Sequence, residues 1–172
     1  MNLSVSISMN LFEIRNTIFS PDRKYRYRLS QTWNPALPLQ VYLMLNPSTA
    51  DESQNDPTVE RCERRARATE GCGGVEIINI FAYRATDPSV MKRQADPIGP
   101  DNDLHILAAA KSAYQVILAW GGHGQHMNRG KQVLHMLHNA GIETHYLKLN
   151  KDGFPAHPLY ISYIVSPQLY VI

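Results

Sequence analysis

Apolar runs along this chain break off repeatedly into dense polar loops. The run 41–45 leads into Asn46-Pro47-Ser48-Thr49-Ala50-Asp51, and 75–81 leads into Ala82-Tyr83-Arg84-Ala85-Thr86-Asp87-Pro88. The run 116–120 leads into Gly121-Gly122-His123-Gly124, and 143–149 into Asp152-Gly153-Phe154-Pro155-Ala156-His157-Pro158. Short apolar runs bounded by such loops predict buried strands, of which 75–78 and 116–119 are the best candidates for the sheet centre. Residues 24–29 alternate basic side chains with Tyr25, Tyr27 and Leu29, predicting a half-buried strand that pairs with the 41–45 segment as a hairpin or sheet edge.

Helical signals fall between these runs. Asp56 before Pro57 predicts a capped start, since proline has no amide hydrogen to lose at the first helical position. That helix runs to about Glu70 and stops at Gly71, with a thin apolar side of Val59, Cys62 and Ala66. A second helix begins near Asp101 or Asn102 and carries Leu104, Ile106, Leu107 and Ala110. A third begins after Gly124 and carries Met127, Val133, Leu134 and Leu137 before Gly141. The segment 159–172 reads either as one more strand or as a packed tail. Alternating strands and helices predict an α/β protein: a three-layer sandwich around a mainly parallel central sheet.

The 172 residues suit one domain spanning 1–172, and a 44% hydrophobic content is ordinary for a globular chain. A net charge of +2 gives no general affinity for nucleic acid. Arg61, Arg64, Arg65 and Arg67 nevertheless crowd one helix, readable as a solvated face or a local basic patch. Cys62 and Cys72 fit neither a disulfide framework nor a paired metal motif, so free thiols are expected. Residues 1–11 lack a basic start and a long apolar stretch, and no run reaches the ~20 apolar residues of a membrane span. The expected setting is a reducing cytoplasm, with no membrane partner and no cofactor.

The loops hold the chemistry. In an open α/β sheet, ligands bind beyond the carboxyl ends of the strands, so these four loops should share one rim. Asn46 follows a strand directly, and its amide can accept and donate at once; the alternative is a turn former before Pro47. Arg84 is suited to a phosphate or carboxylate, or else it pairs with Asp87 to brace its loop. Tyr83 offers a stacking surface. Gly121-Gly122-His123-Gly124 opens a helix whose amides favour an anion, although it has neither P-loop nor dinucleotide-fingerprint spacing. His157 stands between Pro155 and Pro158 across Ala156, an arrangement that stiffens the imidazole. Asp51 and Asp56 offer oxygen ligands for a divalent cation, at a spacing that specifies little.

The motifs 43–51 (ending Asn46-Pro47-Ser48-Thr49-Ala50-Asp51), Asn55-Asp56-Pro57-Thr58, 79–88 and 153–160 closely resemble a bacterial and phage family of unknown function, over roughly residues 24–161. The loop order is also similar, more distantly, to the uracil-DNA glycosylase superfamily and its mismatch-specific branch. That likeness implies a uracil-DNA-glycosylase-like fold. It sets Leu45-Asn46-Pro47-Ser48 beside a catalytic Asn-Pro-Gly loop whose asparagine positions water. It also sets His157-Pro158-Leu159 beside a late His-Pro element whose histidine binds the leaving base. Ser48 stands where that branch has glycine, no Ser-Pro follows His157-Pro158, and Asp51 and Arg84 have no clear counterpart.

The first functional reading is recognition of a nucleobase or nucleotide, extending to hydrolysis of an N-glycosidic bond after base flipping. Asn46 and Asp51 orient water, His157 stabilises the departing base, and Tyr83 stacks on it. Ser48, Arg84, Gly121 and His123 bind the remainder, with Arg84 and the amides after Gly121 holding phosphate. A second reading is a binding module for a nucleotide or nucleic acid without catalysis. A third is metal-dependent hydrolysis through Asp51, Asp56 and either His123 or His157.

Overall fold

A computed structural model describes residues 13–49 and 56–171. Seven strands form one mixed sheet: β1 (Ile14–Phe19), β2 (Arg26–Thr32), β3 (Leu39–Met44), β4 (Gly74–Asn79), β5 (Gln115–Leu118), β6 (Thr144–Tyr146) and β7 (Gln168–Tyr170). Their order across the sheet is β1-β2-β4-β3-β5-β6-β7. The α-helices are α1 (Pro57–Arg67), α2 (Pro88–Lys92), α3 (Asn102–Lys111) and α4 (Arg129–Asn139).

The expectation of a mainly parallel sheet is corrected to a mixed one. Parallel pairing is confined to the β4-β3-β5-β6 centre. The β1–β2, β2–β4 and β6–β7 pairings are antiparallel. Strand β2 therefore pairs with β1 and β4 instead of with the 41–45 segment. Strand β1 leaves no clear sequence signal: it is an edge strand whose first three residues are exposed, so burial imposes no alternation on it.

Alternate residues of the central strands feed two cores. Val41, Leu43, Ile78, Val116 and Leu118 pack with Ile106 and Ala109 of α3 and Val133 and Leu137 of α4. Tyr42, Met44, Ile77 and Ile117 pack with Val59, Cys62 and Ala66 of α1 on the other face. Cover on both faces explains why these strands are apolar throughout. It also seals both cysteines as free, buried thiols. Within the sheet, the buried Glu76 is held by a two-pronged pair with Arg28.

Asp56 caps α1 as expected, its Oδ1 accepting the Val59 N–H at 2.8 Å. Two helical expectations need correction. Leu104 lies on the solvent side of α3, 68% exposed, because Ile106 and Ala109–Ala110 set the buried face. Residues Gly122–Asn128 form 3₁₀ turns interrupted at Met127 and Asn128, both at positive φ, so α4 starts only at Arg129 and Met127 is exposed. No described helix is long and apolar enough to cross a membrane.

Candidate functional site

The chain leaves β3 toward α1 on one face of the sheet and leaves the adjacent β5 toward α4 on the opposite face. Connections that diverge from neighbouring parallel strands open a crevice at their carboxyl ends. A cleft of about 410 Å³ occupies that position. Asn46 and Ser48 reach it from the loop after β3, Asn79 from the end of β4, Trp120, Gly121 and His123 from the loop after β5, and His157 from the fourth loop.

Asn46 is fixed by its neighbours. Its Nδ2 donates to the Ala85 carbonyl at 2.7 Å and to the Pro47 carbonyl at 3.2 Å. Both partners are acceptors, so the nitrogen must face them, and Oδ1 is left as the acceptor at the cleft. The same two loops are tied by the Ala85 N–H to the Pro47 carbonyl and by the hydroxyls of Thr49 and Thr86 at 2.7 Å. Beside them the Ser48 hydroxyl is buried, with no hydrogen-bond partner among the described residues.

His157 caps a short 3₁₀ turn, its Nδ1 accepting from the Leu159 N–H at 3.4 Å. An accepting Nδ1 places the proton of the neutral ring on Nε2. Desolvation holds its pKa below the usual histidine value, more than the Asp56 carboxylate raises it, which favours that neutral form. The fourth loop is drawn to the rim by the Gly121 N–H, which donates to the Pro155 carbonyl at 2.8 Å.

That last bond commits the Gly121 amide itself, leaving any anion to the amides after Gly121. The glycines also serve geometry. Gly121 adopts φ 68°, and a Cβ on Gly124 would sit 2.2 Å from the Trp120 ring, so the indole lies directly on the backbone there. His123 lines the cleft but is exposed, with Nδ1 2.9 Å from the Lys92 ammonium.

Arg84 and Tyr83 lie away from the lining. The Arg84 guanidinium stacks on Phe19 at 5.0 Å and donates to the Arg23 carbonyl at 3.2 Å. Asp87 does not brace it but caps α2 through the Ser89 N–H at 2.7 Å. Tyr83 meets Tyr25 edge to face at 5.9 Å. Antiparallel β2 brings its start against this loop, as the Tyr25–Tyr83 bridge shows, and these side chains are consumed in that seam. Asp51 lies outside the described residues. Asp56 lines the cleft while capping α1, and no group of three His, Cys, Asp or Glu side chains able to hold a metal ion occurs among the described residues.

Two buried polar residues of the cleft were not among the sequence candidates. Asn79, 2% exposed, stands beside Met44 in register at the end of β4. Arg26, 7% exposed, reaches the cleft from β2. Burial lowers the Arg26 pKa to about 10; Arg84 and Arg15 act in the same sense and Asp56 opposes them. The guanidinium therefore remains charged at neutral pH. Arg26 alternates with tyrosines in what reads as an ordinary strand, so only tertiary burial distinguishes it.

The basic stripe of α1 is divided: Arg64 and Arg67 are exposed, while Arg61 and Arg65 are turned onto the C-terminal segment. Arg65 donates to the carbonyls of Ile161, Ser162 and Val165, and Arg61 to that of Ile161. Arg67 pairs with Glu63 and Glu13. Tyr163 packs beneath the guanidinium groups of Arg61, Arg64 and Arg65.

Fold and cleft define a three-layer α/β protein with a polar rim site where neighbouring strand connections diverge. The chain belongs to the family described as "Protein of unknown function (DUF1643)", which matches residues 26–159. Neither the curated proteins nor the solved structures contain a match to it.

Proposed function

We propose that the rim cleft binds a nucleobase-bearing ligand and hydrolyses its N-glycosidic bond. The observation that carries this reading is the pairing, in one cleft, of a fixed acceptor, Asn46 Oδ1, with a neutral imidazole donor, His157 Nε2. Bases present imide, amide and carbonyl groups that need both kinds of partner. Asn46 Oδ1 orients a water, whose oxygen bonds to the anomeric carbon as the carbon–nitrogen bond breaks. The bonding pair leaves with the base, His157 Nε2–H stabilises the charge that develops on it, and the departing base anion takes up the proton that the water loses. Positive charge on the sugar in the transition state is met by the Asp56 carboxylate at the cleft wall. Asp51 joins Asn46 in positioning water on the strength of the loop motif. The order of these loops is the ground for likeness to the uracil-DNA glycosylase superfamily in fold as well as chemistry.

Calorimetric titration with free pyrimidine and purine bases, together with chromatography for base released from nucleosides, nucleotides and oligonucleotides, tests the reading. Wild-type protein should bind or release a base. Asn46→Ala should lower affinity or turnover at least about tenfold, while costing about 1 kcal/mol of stability for the lost carbonyl contacts. Binding with no release from any substrate would assign a recognition module instead. Base binding that is unchanged in Asn46→Ala, with a large loss of stability, would return Asn46 to a turn-forming role.

A further inference from the structure

Three arginines are buried among the described residues: Arg26, Arg65 and Arg129. Two of them explain themselves. Arg65 clamps three backbone carbonyls. Arg129 donates from Nε to the Ile80 carbonyl at 2.8 Å and from Nη2 to Asp103. Arg26 differs. Its Nε is sealed from solvent without a partner, as is that of Arg65, but unlike Arg65 its guanidinium meets no hydrogen-bond acceptor or ion pair among the described residues. A largely buried guanidinium with no hydrogen-bond acceptor beside it is costly to keep, although the Asp56 charge offsets part of that cost. The residue lines the cleft, and so does Ser48, whose hydroxyl is likewise buried and unpartnered.

We infer that Arg26, assisted by Ser48, is the oxyanion-binding residue of the cleft, and that the group it takes is a phosphoryl group of the ligand. A guanidinium fork matches two oxygens of a phosphate, and a hydroxyl can donate to a third. Thr58 and Thr86 add hydroxyls to the same lining, which suits a group with more oxygens than a carboxylate has. The Asp56 carboxylate on that wall disfavours a highly charged anion, so a monoester or diester fits better than a polyphosphate. The phosphate role expected for Arg84 thus passes to Arg26. The anion subsite stands on Arg26 itself. Only the identification of its anion as part of a base-bearing ligand rests on the function proposed above.

The test is calorimetric titration of the full chain with inorganic phosphate, a nucleoside, its 5′-monophosphate and a short single-stranded oligonucleotide. Wild type, Arg26→Gln and Arg26→Lys are compared, each checked for folding by circular dichroism. Phosphate should bind wild type, at least about tenfold more weakly in Arg26→Gln, with partial recovery in Arg26→Lys. The monophosphate should bind at least about tenfold more tightly than the nucleoside, and Arg26→Gln should erase that preference without changing nucleoside affinity. If the oligonucleotide rather than the monophosphate loses affinity in Arg26→Gln, the phosphoryl group is that of a strand. Equal phosphate binding by wild type and a folded Arg26→Gln overturns the inference and leaves base recognition standing. Phosphate binding through Arg26 without any nucleoside or nucleotide binding preserves the inference and sinks the base reading. A tenfold gain in phosphate affinity in Asp51→Asn or Glu52→Gln would mean that a carboxylate already occupies Arg26, and would also overturn it.

Discussion

At the residue scale, two positions serve the cleft in opposite ways. Asn46 is an amide whose nitrogen is spent on carbonyls so that its oxygen is presented to the cleft. Gly124 supplies the absence of a side chain against which Trp120 lies, and Trp120 is itself part of the cleft wall. Adding a methyl group at Gly124 forces the indole or the backbone to move, the situation in which overpacking costs about 1–3 kcal/mol. Gly124→Ala should therefore lower stability by about that amount and weaken ligand binding in the cleft as the ring shifts. Urea denaturation and tryptophan fluorescence check both parts. An unchanged emission spectrum together with full ligand affinity would show that Trp120 needs no backbone seat.

At the scale of elements, α1 joins the cleft to the C-terminal segment. Its N-terminal cap, Asp56, faces the site, and its arginines hold the residues that follow His157. Removing Arg65 leaves the Ser162 and Val165 carbonyls without a charged donor, while Ile161 keeps Arg61, a loss of about 2–3 kcal/mol for partly buried groups. Arg65→Ala should lower stability by that amount and make the peptide after Tyr160 more susceptible to limited proteolysis. Arg64→Ala, which loses only its approach to Tyr163, should change either property little. Equal sensitivity of the two variants would show that the clamp contributes nothing beyond general charge.

At the scale of the whole molecule, stability should follow the neutral histidines. His157 and His105 both have pKa values depressed chiefly by desolvation. The unfolded chain then binds more protons than the folded one between the depressed values and the ordinary histidine value of 6.5. Stability is therefore full above that value and is lost as pH falls through the folded-state pKa. The melting temperature should fall from pH 7.5 to 5, and His157→Gln should fall less, because it no longer gains a proton on unfolding. Identical pH slopes in wild type and His157→Gln would remove His157 from this account.

The sequence alone determined most of the interior. A strand covered on both faces must be apolar at nearly every position, so 41–45, 75–78 and 116–119 could be read directly, as could the Asp56-Pro57 start of α1. The polar loops after them could be placed on one rim because parallel strands end together, and Asn46, Ser48, Gly121, His123 and His157 do line one cleft. The tertiary structure decided which polar groups remain available there. Hydrogen-bond partners distant in sequence consumed the Gly121 amide, while stacking on Phe19 and Tyr25 drew Arg84 and Tyr83 away. The same long-range packing turned Arg61 and Arg65 of α1 onto the C-terminal segment. It also buried Arg26, an ordinary-looking basic residue in an alternating strand, without a described partner for its guanidinium. Local pattern reports which face of an element is apolar, but not which neighbour will satisfy a polar atom, because that neighbour is chosen by sheet order and by contacts across the fold.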